Sequence, residues 1–260
     1  MANNKKKRLS KISLLHYYKM IGRSFLFIMA IVFYIIDKVN GHSGVLGGME
    51  ENTPFLVIVG ASFFLEMLLR FFPSNIESMG CQKQFKRNFI KTEQDKPNLP
   101  SRHGTLISLV AWLALNGAIA ALYFTGLIDE GILIIISLFY SVCDMICILF
   151  FCPFQTWFMK NKCCGSCRIY NWDYAMMFTP LALIIHPFTL SLFGMGMLLL
   201  IFWELALIRH PERFAENTNA SLACQNCKEK LCQHKTQLRG FIKSHKELIT
   251  QYMNEKEQKK

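Results

Sequence analysis

Long apolar segments separated by short charged loops dominate the pattern of this chain. Four runs, at about residues 20–39, 54–72, 105–128 and 132–152, have roughly the 20 residues that a helix needs to cross the hydrocarbon core of a membrane. The pattern therefore predicts four membrane-spanning helices before the last apolar stretch begins.

The last apolar stretch, residues 174–208, contains a single charged residue, Glu204. One helix over its 35 residues would extend about 52 Å, whereas the hydrocarbon core is about 30 Å thick. We therefore predict two spans, residues 174–190 and 194–208. A turn is expected near residues 189–196, where glycines interrupt the apolar run.

Composition and charge give this six-helix prediction an orientation. The mean hydropathy is +0.25 and 52% of the residues are hydrophobic, which is more apolar than a typical soluble domain. With the amino terminus in the cytoplasm, 28 of the 29 Lys and Arg residues lie on the cytoplasmic side, and Lys38 is the exception. This is the distribution that the positive-inside rule describes.

The predicted fold class is thus an all-α integral membrane protein with six transmembrane helices and a small cysteine-rich cytoplasmic module. Residues 1–19 form a basic cytoplasmic tail, residues 20–208 the membrane domain, and residues 209–260 a cysteine-rich and helical cytoplasmic tail. The basic residues are dispersed over several loops, so no specific nucleic acid partner is expected. The expected partners are the lipid bilayer and an unidentified protein or small molecule.

Two cysteine clusters fall on the predicted cytoplasmic side, one in the loop of residues 153–173 and one in the tail. Four cysteines are arranged as two CxxC pairs: Cys164, Cys167, Cys224 and Cys227. A CxxC turn brings two thiolates to one ion, and two such pairs complete a tetrahedral zinc site. Further nearby residues are alternate ligands: Cys152, Cys163, Cys232 and His234. The spacing therefore predicts a structural zinc site that links the loop to the tail.

Two other interpretations of the cysteines remain open. An iron–sulfur cluster is favoured by the closely spaced Cys163, Cys164 and Cys167 and by the Cys152-Pro153 pair, although the full ferredoxin-type order is absent. Free or redox-switching thiols without a metal are the third interpretation, since thiols stay reduced in the cytoplasm.

The candidate functional residues inside the apolar runs are Glu66, Asp144, His186 and Glu204. Such groups are unfavourable in a membrane unless they are paired or hydrated. We expect Glu66 to pair with Arg70 at i+4, and Glu204 to extend to the membrane surface or to pair with Arg209. Asp144 has no partner nearby in the sequence and is the strongest candidate. His186 is expected to be a hydrogen-bonded core histidine, and Asp173 to cap the fifth span.

No hydrolase, kinase or nucleotide-binding motif occurs in the chain, so the sequence leaves open whether it is an enzyme. We expect a membrane protein with a cytoplasmic zinc site that serves as a binding, regulatory or transport component. One alternative is a membrane redox protein with an iron–sulfur centre at the cytoplasmic face. Another is a small ion or solute transporter that uses Asp144.

Overall fold

The computed structural model describes residues 11–39, 53–74, 82–99, 102–160 and 167–226. These residues are predominantly helical and form no strand; their extended backbone pairing is one isolated bridge. The predicted all-α class is therefore confirmed for the described part of the chain.

Six α-helices occur in the described residues: α1 (Lys11–Val39), α2 (Thr53–Leu69), α3 (Arg102–Phe124), α4 (Glu130–Leu149), α5 (Asp173–Phe178) and α6 (Pro187–Arg209). Within this part of the chain, α1, α3, α4 and α6 are long and apolar enough to cross a membrane, and α2 is a shorter apolar helix. Large apolar side chains are also exposed on each of these helices, as on the lipid-facing sides of membrane spans. The four helices suggest a membrane protein, whereas six spans remain a prediction.

Helix α1 begins well before the predicted first span. Its 29 residues extend about 44 Å, which is longer than a hydrocarbon core of about 30 Å. Arg23, one of the basic residues that the charge count places on the cytoplasmic side, lies in the interior of this continuous helix. Its side chain is buried against other helices.

The last apolar stretch is divided at a different place from the predicted one. A tight helical segment, Thr179–Leu183, follows α5, and the chain is then extended at His186 (φ −134°, ψ 138°). The residue before a proline favours such extended conformations, and Pro187 occupies the first turn of α6, where its missing N–H leaves no bond unmade. His186 caps α6 by accepting a hydrogen bond from the N–H of Phe188. The predicted turn at residues 189–196 is wrong, because α6 is continuous there.

Gly196 has a packing role in α6 and does not form a turn. A Cβ atom added to Gly196 would lie 3.1 Å from the carbonyl carbon and oxygen of Tyr174, and 3.2 Å from the nitrogen of Ala175. Glycine is about 1 kcal/mol less favourable than alanine inside a helix. Here it lets the backbone of α6 approach the backbone of α5.

The helices pack around one main core. Helix α1 lies along α4, and α6 contacts both α2 and α5. Fully or almost fully buried side chains from four helices meet there, among them Met67, Leu133, Tyr174 and Leu199. This packing brings the carboxyl ends of α2, α4 and α6 to the same end of the molecule.

A small polar unit, which we call the cap, covers this end and consists of residues 82–99 and 210–226. Asn219 is completely buried in it. The Asn219 amide donates hydrogen bonds to the backbone carbonyls of Lys83 (3.0 Å) and Arg213 (2.8 Å). The chain that follows α6 is thereby attached to the loop that follows α2.

Candidate functional site

Charged side chains from three helices meet at the capped end, with Arg23 of α1 in the centre. The two terminal nitrogens of Arg23 donate to Asp144 Oδ2 (2.9 Å) and to Glu66 Oε2 (2.9 Å). Arg23 also donates to the backbone carbonyl of Ser141, and its side chain is only 5% exposed. Lys19, one turn earlier on α1, lies 3.6 Å from Glu66 Oε1. A rigid guanidinium is suited to holding two carboxylates in fixed directions.

A second buried pair lies beside the first and is joined to it by Tyr174. Arg70 forms a salt bridge of 2.7 Å with Asp173. The hydroxyl of Tyr174 donates to Glu66 Oε2 (2.7 Å). The ring of Tyr174 contacts both guanidinium groups, at 5.9 Å from Arg23 and 4.6 Å from Arg70, which is within the range of cation–π attraction.

We call this set the buried charge cluster: Arg23, Glu66, Arg70, Asp144, Asp173 and Tyr174. Buried charges are tolerated when their partners and hydrogen bonds compensate for the loss of water. In this cluster each carboxylate contacts an arginine, and both arginines contact the ring of Tyr174. The cluster connects α1, α2, α4 and α5.

Two predicted ion pairs are wrong because both glutamates have partners far away in the sequence. Helix α2 ends at Leu69, and the N–H of Arg70 bonds to the Met67 carbonyl in a tight turn. The i+4 alignment with Glu66 is therefore not continued, and Arg70 contacts Asp173 instead. Glu204 likewise pairs with Arg168 and accepts a hydrogen bond of 2.7 Å from the Trp172 ring N–H, and its predicted partner Arg209 takes no part.

Asp173 does not cap the helix in the way that the sequence predicts. Asp173 is the first residue of α5 and not the capping residue before it. Its carboxylate accepts a hydrogen bond from the N–H of Tyr174 (2.9 Å) and binds Arg70. His186 is half-buried and caps α6, so it lies outside the buried charge cluster.

Most of the predicted metal ligands lie outside the described residues, namely Cys163, Cys164, Cys227, Cys232 and His234. Cys224 lies in a described segment, but its side chain is not described. Cys167 is 4% exposed and packs with apolar neighbours, and Cys152 is half-buried. Within the described ranges, no group of three or more His, Cys, Asp or Glu side chains is arranged to hold a metal ion. The zinc and iron–sulfur interpretations stay predictions.

An apolar cavity of about 410 Å³ lies next to the buried charge cluster, between α3, α4 and residues 151–177. Its walls carry six aromatic side chains: Trp112, Phe139, Tyr140, Phe151, Phe154 and Tyr170. Its polar lining includes six thiol and carboxyl groups: Cys143, Cys147, Cys152, Cys167, Asp144 and Asp173. The cavity falls in the range of about 300–1,000 Å³ that is typical of small-molecule sites.

The cavity and the buried charge cluster share two residues, Asp144 and Asp173. Each carboxylate contacts an arginine that is not part of the cavity wall. The charge that faces the cavity is therefore compensated, and the remaining walls are apolar or aromatic. Such an environment suits an uncharged lipophilic molecule with a polar group near the two carboxylates.

Arg23 and Tyr174 are the central residues that the sequence analysis does not identify. A usable signal exists for Arg23, because the buried residues of α1, among those whose side chains are described, are Ser13, His16, Arg23 and Ala30. Successive intervals of three, seven and seven residues place them on one helical face. When polar residues continue the same helical face upstream of an apolar run, the helix and its buried side begin before the apolar run does.

Comparisons of the chain with protein-family models, with curated proteins and with solved structures found no match. The candidate site is accordingly assigned from its own side chains and their geometry.

Proposed function

We propose that this protein spans the membrane six times, with both termini in the cytoplasm, and binds a small uncharged lipophilic molecule in the cavity beside Asp144. The observation that carries this proposal is the cavity, which combines aromatic walls with a charge-compensated polar end. Leu115, Phe139 and Ile146 line the cavity and are also exposed on the outside of α3 and α4. On membrane helices that outer surface faces lipid, so a lipophilic molecule has a route to the cavity.

Two features of the fold support the six-span arrangement. Helix α2 has 17 residues and extends about 26 Å, close to the thickness of a hydrocarbon core of about 30 Å. Residues 168–183 form a run of short helical segments between the cysteine loop and α6, and we assign this run as the other crossing. With these two segments added to α1, α3, α4 and α6, the basic cap lies on the cytoplasmic side.

A structural zinc site at the cytoplasmic face completes the proposed architecture. Its support is the position of the segments that flank the two cysteine clusters. Arg168, directly after Cys167, pairs with Glu204 near the carboxyl end of α6. The cap then holds the chain up to Asn226, within the second cluster, at the same end of the molecule. A zinc ion bound by both clusters would fix the tail to the loop.

Analysis of the molecules that copurify with the protein tests the binding function. The full chain is purified from its native membrane, and an organic extract is compared between wild type and Cys143→Phe, which adds a ring inside the cavity. Leu113→Phe adds the same ring on the exposed side of α3 and is the matched control. We expect a lipophilic compound that copurifies with wild type and Leu113→Phe and is lost from Cys143→Phe. Identical extracts from all three proteins would refute the cavity as the binding site.

Metal analysis tests the zinc site separately. We expect about one zinc ion per chain in wild type, as a single four-ligand site requires. Zinc is lost in Cys164→Ser and Cys227→Ser and retained in Cys81→Ser, whose cysteine belongs to neither cluster. A brown protein that contains iron after anaerobic purification would support the iron–sulfur alternative. If neither metal is found, both metal interpretations fail together.

Transport that uses Asp144 is the second candidate, favoured by the position of this carboxylate on both the cavity wall and the buried charge cluster. Asp144→Asn keeps the size of the side chain and removes its charge. If the compound identified by copurification is transported, we expect this variant to lose its flux across proteoliposomes. Unchanged flux in Asp144→Asn would eliminate a transport role for the carboxylate.

A further inference from the structure

One carboxylate oxygen at the polar end of the cavity is available to a bound molecule. Asp144 Oδ2 accepts a hydrogen bond of 2.9 Å from Arg23, which orients the carboxylate. None of the residues that the structure describes donates a hydrogen bond to Asp144 Oδ1. The Asp144 side chain lines the cavity and is 16% exposed, so Oδ1 is an acceptor that a molecule in the cavity can use.

Asp173, the other carboxylate of the cavity wall, is already engaged. Its Oδ1 accepts hydrogen bonds from Arg70 (2.7 Å) and from the N–H of Tyr174 (2.9 Å). Its Oδ2 also lies 2.7 Å from Arg70 and is fully buried. Asp144 therefore sets the hydrogen-bonding character of the polar end. Because an ionised carboxylate only accepts hydrogen bonds, the complementary group on a ligand is a donor.

Tyr140 lies one turn before Asp144 on α4 and lines the same wall, since residues four apart share one face of a helix. The ring of Tyr140 packs against that of Trp112, with the centroids 4.9 Å apart. Its hydroxyl has no hydrogen-bond partner within the described part of the chain. A phenol both donates and accepts. A ligand hydroxyl is complementary to this pair, because it can donate to Asp144 and accept from Tyr140.

The other walls of the cavity determine the body of the ligand. They are apolar and carry six aromatic side chains, so they favour a large apolar molecule and disfavour further polar groups. Arg23 compensates the charge of Asp144, so a cationic amine is disfavoured as well. A rigid fused-ring molecule buries much apolar area at a low cost in conformational entropy. A single hydroxyl on such a ring system describes a sterol, which is also soluble in the bilayer.

We propose that the cavity binds a sterol whose hydroxyl donates a hydrogen bond to Asp144 Oδ1. This inference rests on the proposed binding function and names the chemical class of the ligand. It makes Asp144 a residue that determines specificity. The alcohol is bound, whereas the corresponding ketone and methyl ether, which cannot donate a hydrogen bond, are disfavoured.

Competition binding to the purified full-length protein tests the proposal. Radiolabelled cholestanol is displaced by unlabelled cholestanol, by the ketone cholestanone and by cholestanol methyl ether, which share one ring system. We expect the ketone and the ether to bind about 10–100-fold more weakly than the alcohol, because each lacks a hydrogen bond to a charged group. Cys143→Phe should lose cholestanol binding, and Leu113→Phe should retain it.

Asp144→Asn gives a sharper test of the same hydrogen bond. Arg23 only donates hydrogen bonds, so it keeps the amide oxygen at the position of Oδ2, and the amide NH₂ takes the position of Oδ1. The cavity then offers a donor, and we expect the ketone and the ether to bind about as tightly as the alcohol. A purely structural role of Asp144 would instead weaken all three ligands together and keep the preference for the alcohol. Thermal unfolding shows whether the variant is folded, and the wild-type comparison needs no substitution.

The proposal is overturned if wild type binds the alcohol and the ketone equally tightly, or if it binds no cholestanol. It is also overturned if Cys143→Phe binds cholestanol as wild type does, or if folded Asp144→Asn keeps the preference for the alcohol. If Cys143→Phe loses a copurifying compound while wild type binds no cholestanol, the binding function stands and the sterol assignment is wrong.

Discussion

The two ends of the helix bundle contain the same kinds of contact, which are buried at the capped end and exposed at the other. At the capped end, the Arg23 and Arg70 side chains are 5% and 3% exposed and bind carboxylates. At the other end, Lys38 and Asp129 form a salt bridge of 2.8 Å while 57% and 38% exposed. Each end also has a tyrosine hydroxyl that donates to a carboxylate, from Tyr174 at the capped end and Tyr34 at the other.

This contrast shows which charges determine the structure. An exposed ion pair adds little to stability because water solvates both partners well when they separate. A buried pair is different, since removing one partner leaves the other charged and without water. The buried charge cluster therefore constrains how four helices pack, whereas the exposed pair mainly joins the end of α1 to the α3–α4 turn. The predictions below test this difference.

The largest effect is expected for Arg23→Met, which leaves the half-buried carboxylates of Glu66 and Asp144 without their shared, buried arginine. Removing one partner of a buried ion pair typically destabilises a protein by about 3–5 kcal/mol. We expect a loss of this size in the free energy of unfolding, measured by denaturant titration in detergent micelles. Lys38→Met on the same helix is the matched control and should change it far less.

A compensating variant sharpens this test. Combining Arg23→Met with Glu66→Gln and Asp144→Asn removes all three charges, so much of the stability should return. If the triple variant is as unstable as Arg23→Met alone, lost packing and not unpaired charge is the cause.

The second effect concerns Tyr174→Phe, which keeps the aromatic ring between the two arginines and removes the hydroxyl. The lost hydrogen bond to Glu66 involves a charged group and should destabilise the protein by about 1.5–3 kcal/mol. Tyr34→Phe removes the corresponding bond at the exposed end and should have a clearly smaller effect, because water replaces the lost donor. Equal shifts of the unfolding midpoint in the two variants would contradict the comparison.

The third effect concerns the cap that covers the charged end. Asn219→Ala removes the amide that donates to the Lys83 and Arg213 carbonyls and leaves Lys83 with only the longer bond of 3.3 Å from the Ser221 hydroxyl, which should destabilise the cap by about 1–3 kcal/mol. Hydrogen exchange should accelerate in residues 82–99 and 210–226 and remain slow in the core helices. Asn217→Ala is the control, since its bonds to Gln94 and Lys96 are exposed. Unchanged exchange in Asn219→Ala would show that the cap is held by other contacts.

The sequence predicts the helices better than their contacts, for a physical reason. Apolar length and charge placement locate α1 to α4 to within a few residues at most ends, because these features are local. The partners of Glu66 and Glu204 depend on which helices pack together, and they lie 43 and 36 residues away. The nearest basic residue in the sequence, Arg70 or Arg209, is therefore a poor guide to pairing.

The division between α5 and α6 shows the same limit. Glycines such as Gly194 and Gly196 are typical of turns. Gly196 is required here for another reason, because two backbones approach each other at this position. Pro187 is the local signal that matches the observed break, since the residue before it is extended and α6 begins with it. The cavity depends on residues from α3, α4 and the segment after the cysteine loop, so no local pattern indicates it.

The smallest effect is expected at the exposed end, and it depends on pH. Burial opposes ionisation of Asp129, but hydrogen bonds from Lys38, from the Ile132 N–H and from Tyr34 outweigh it and lower the pKa of Asp129 below its ordinary value of 3.8. A lowered pKa in the folded state means that the charged carboxylate stabilises the fold above that ordinary value. This contribution is lost as the pH falls through the folded pKa.

Two substitutions separate the charge of Asp129 from its role as the cap of α4, where it accepts a hydrogen bond from the Ile132 N–H. Asparagine caps helices about as well as aspartate, so Asp129→Asn removes only the charge and should lower the unfolding temperature slightly at neutral pH. The difference from wild type should vanish in acid, where the wild-type carboxyl is protonated. Asp129→Ala also loses the cap, which costs about 0.5–2 kcal/mol at every pH. If Asp129→Asn is as destabilising as Arg23→Met, exposure does not distinguish the ion pairs at the two ends.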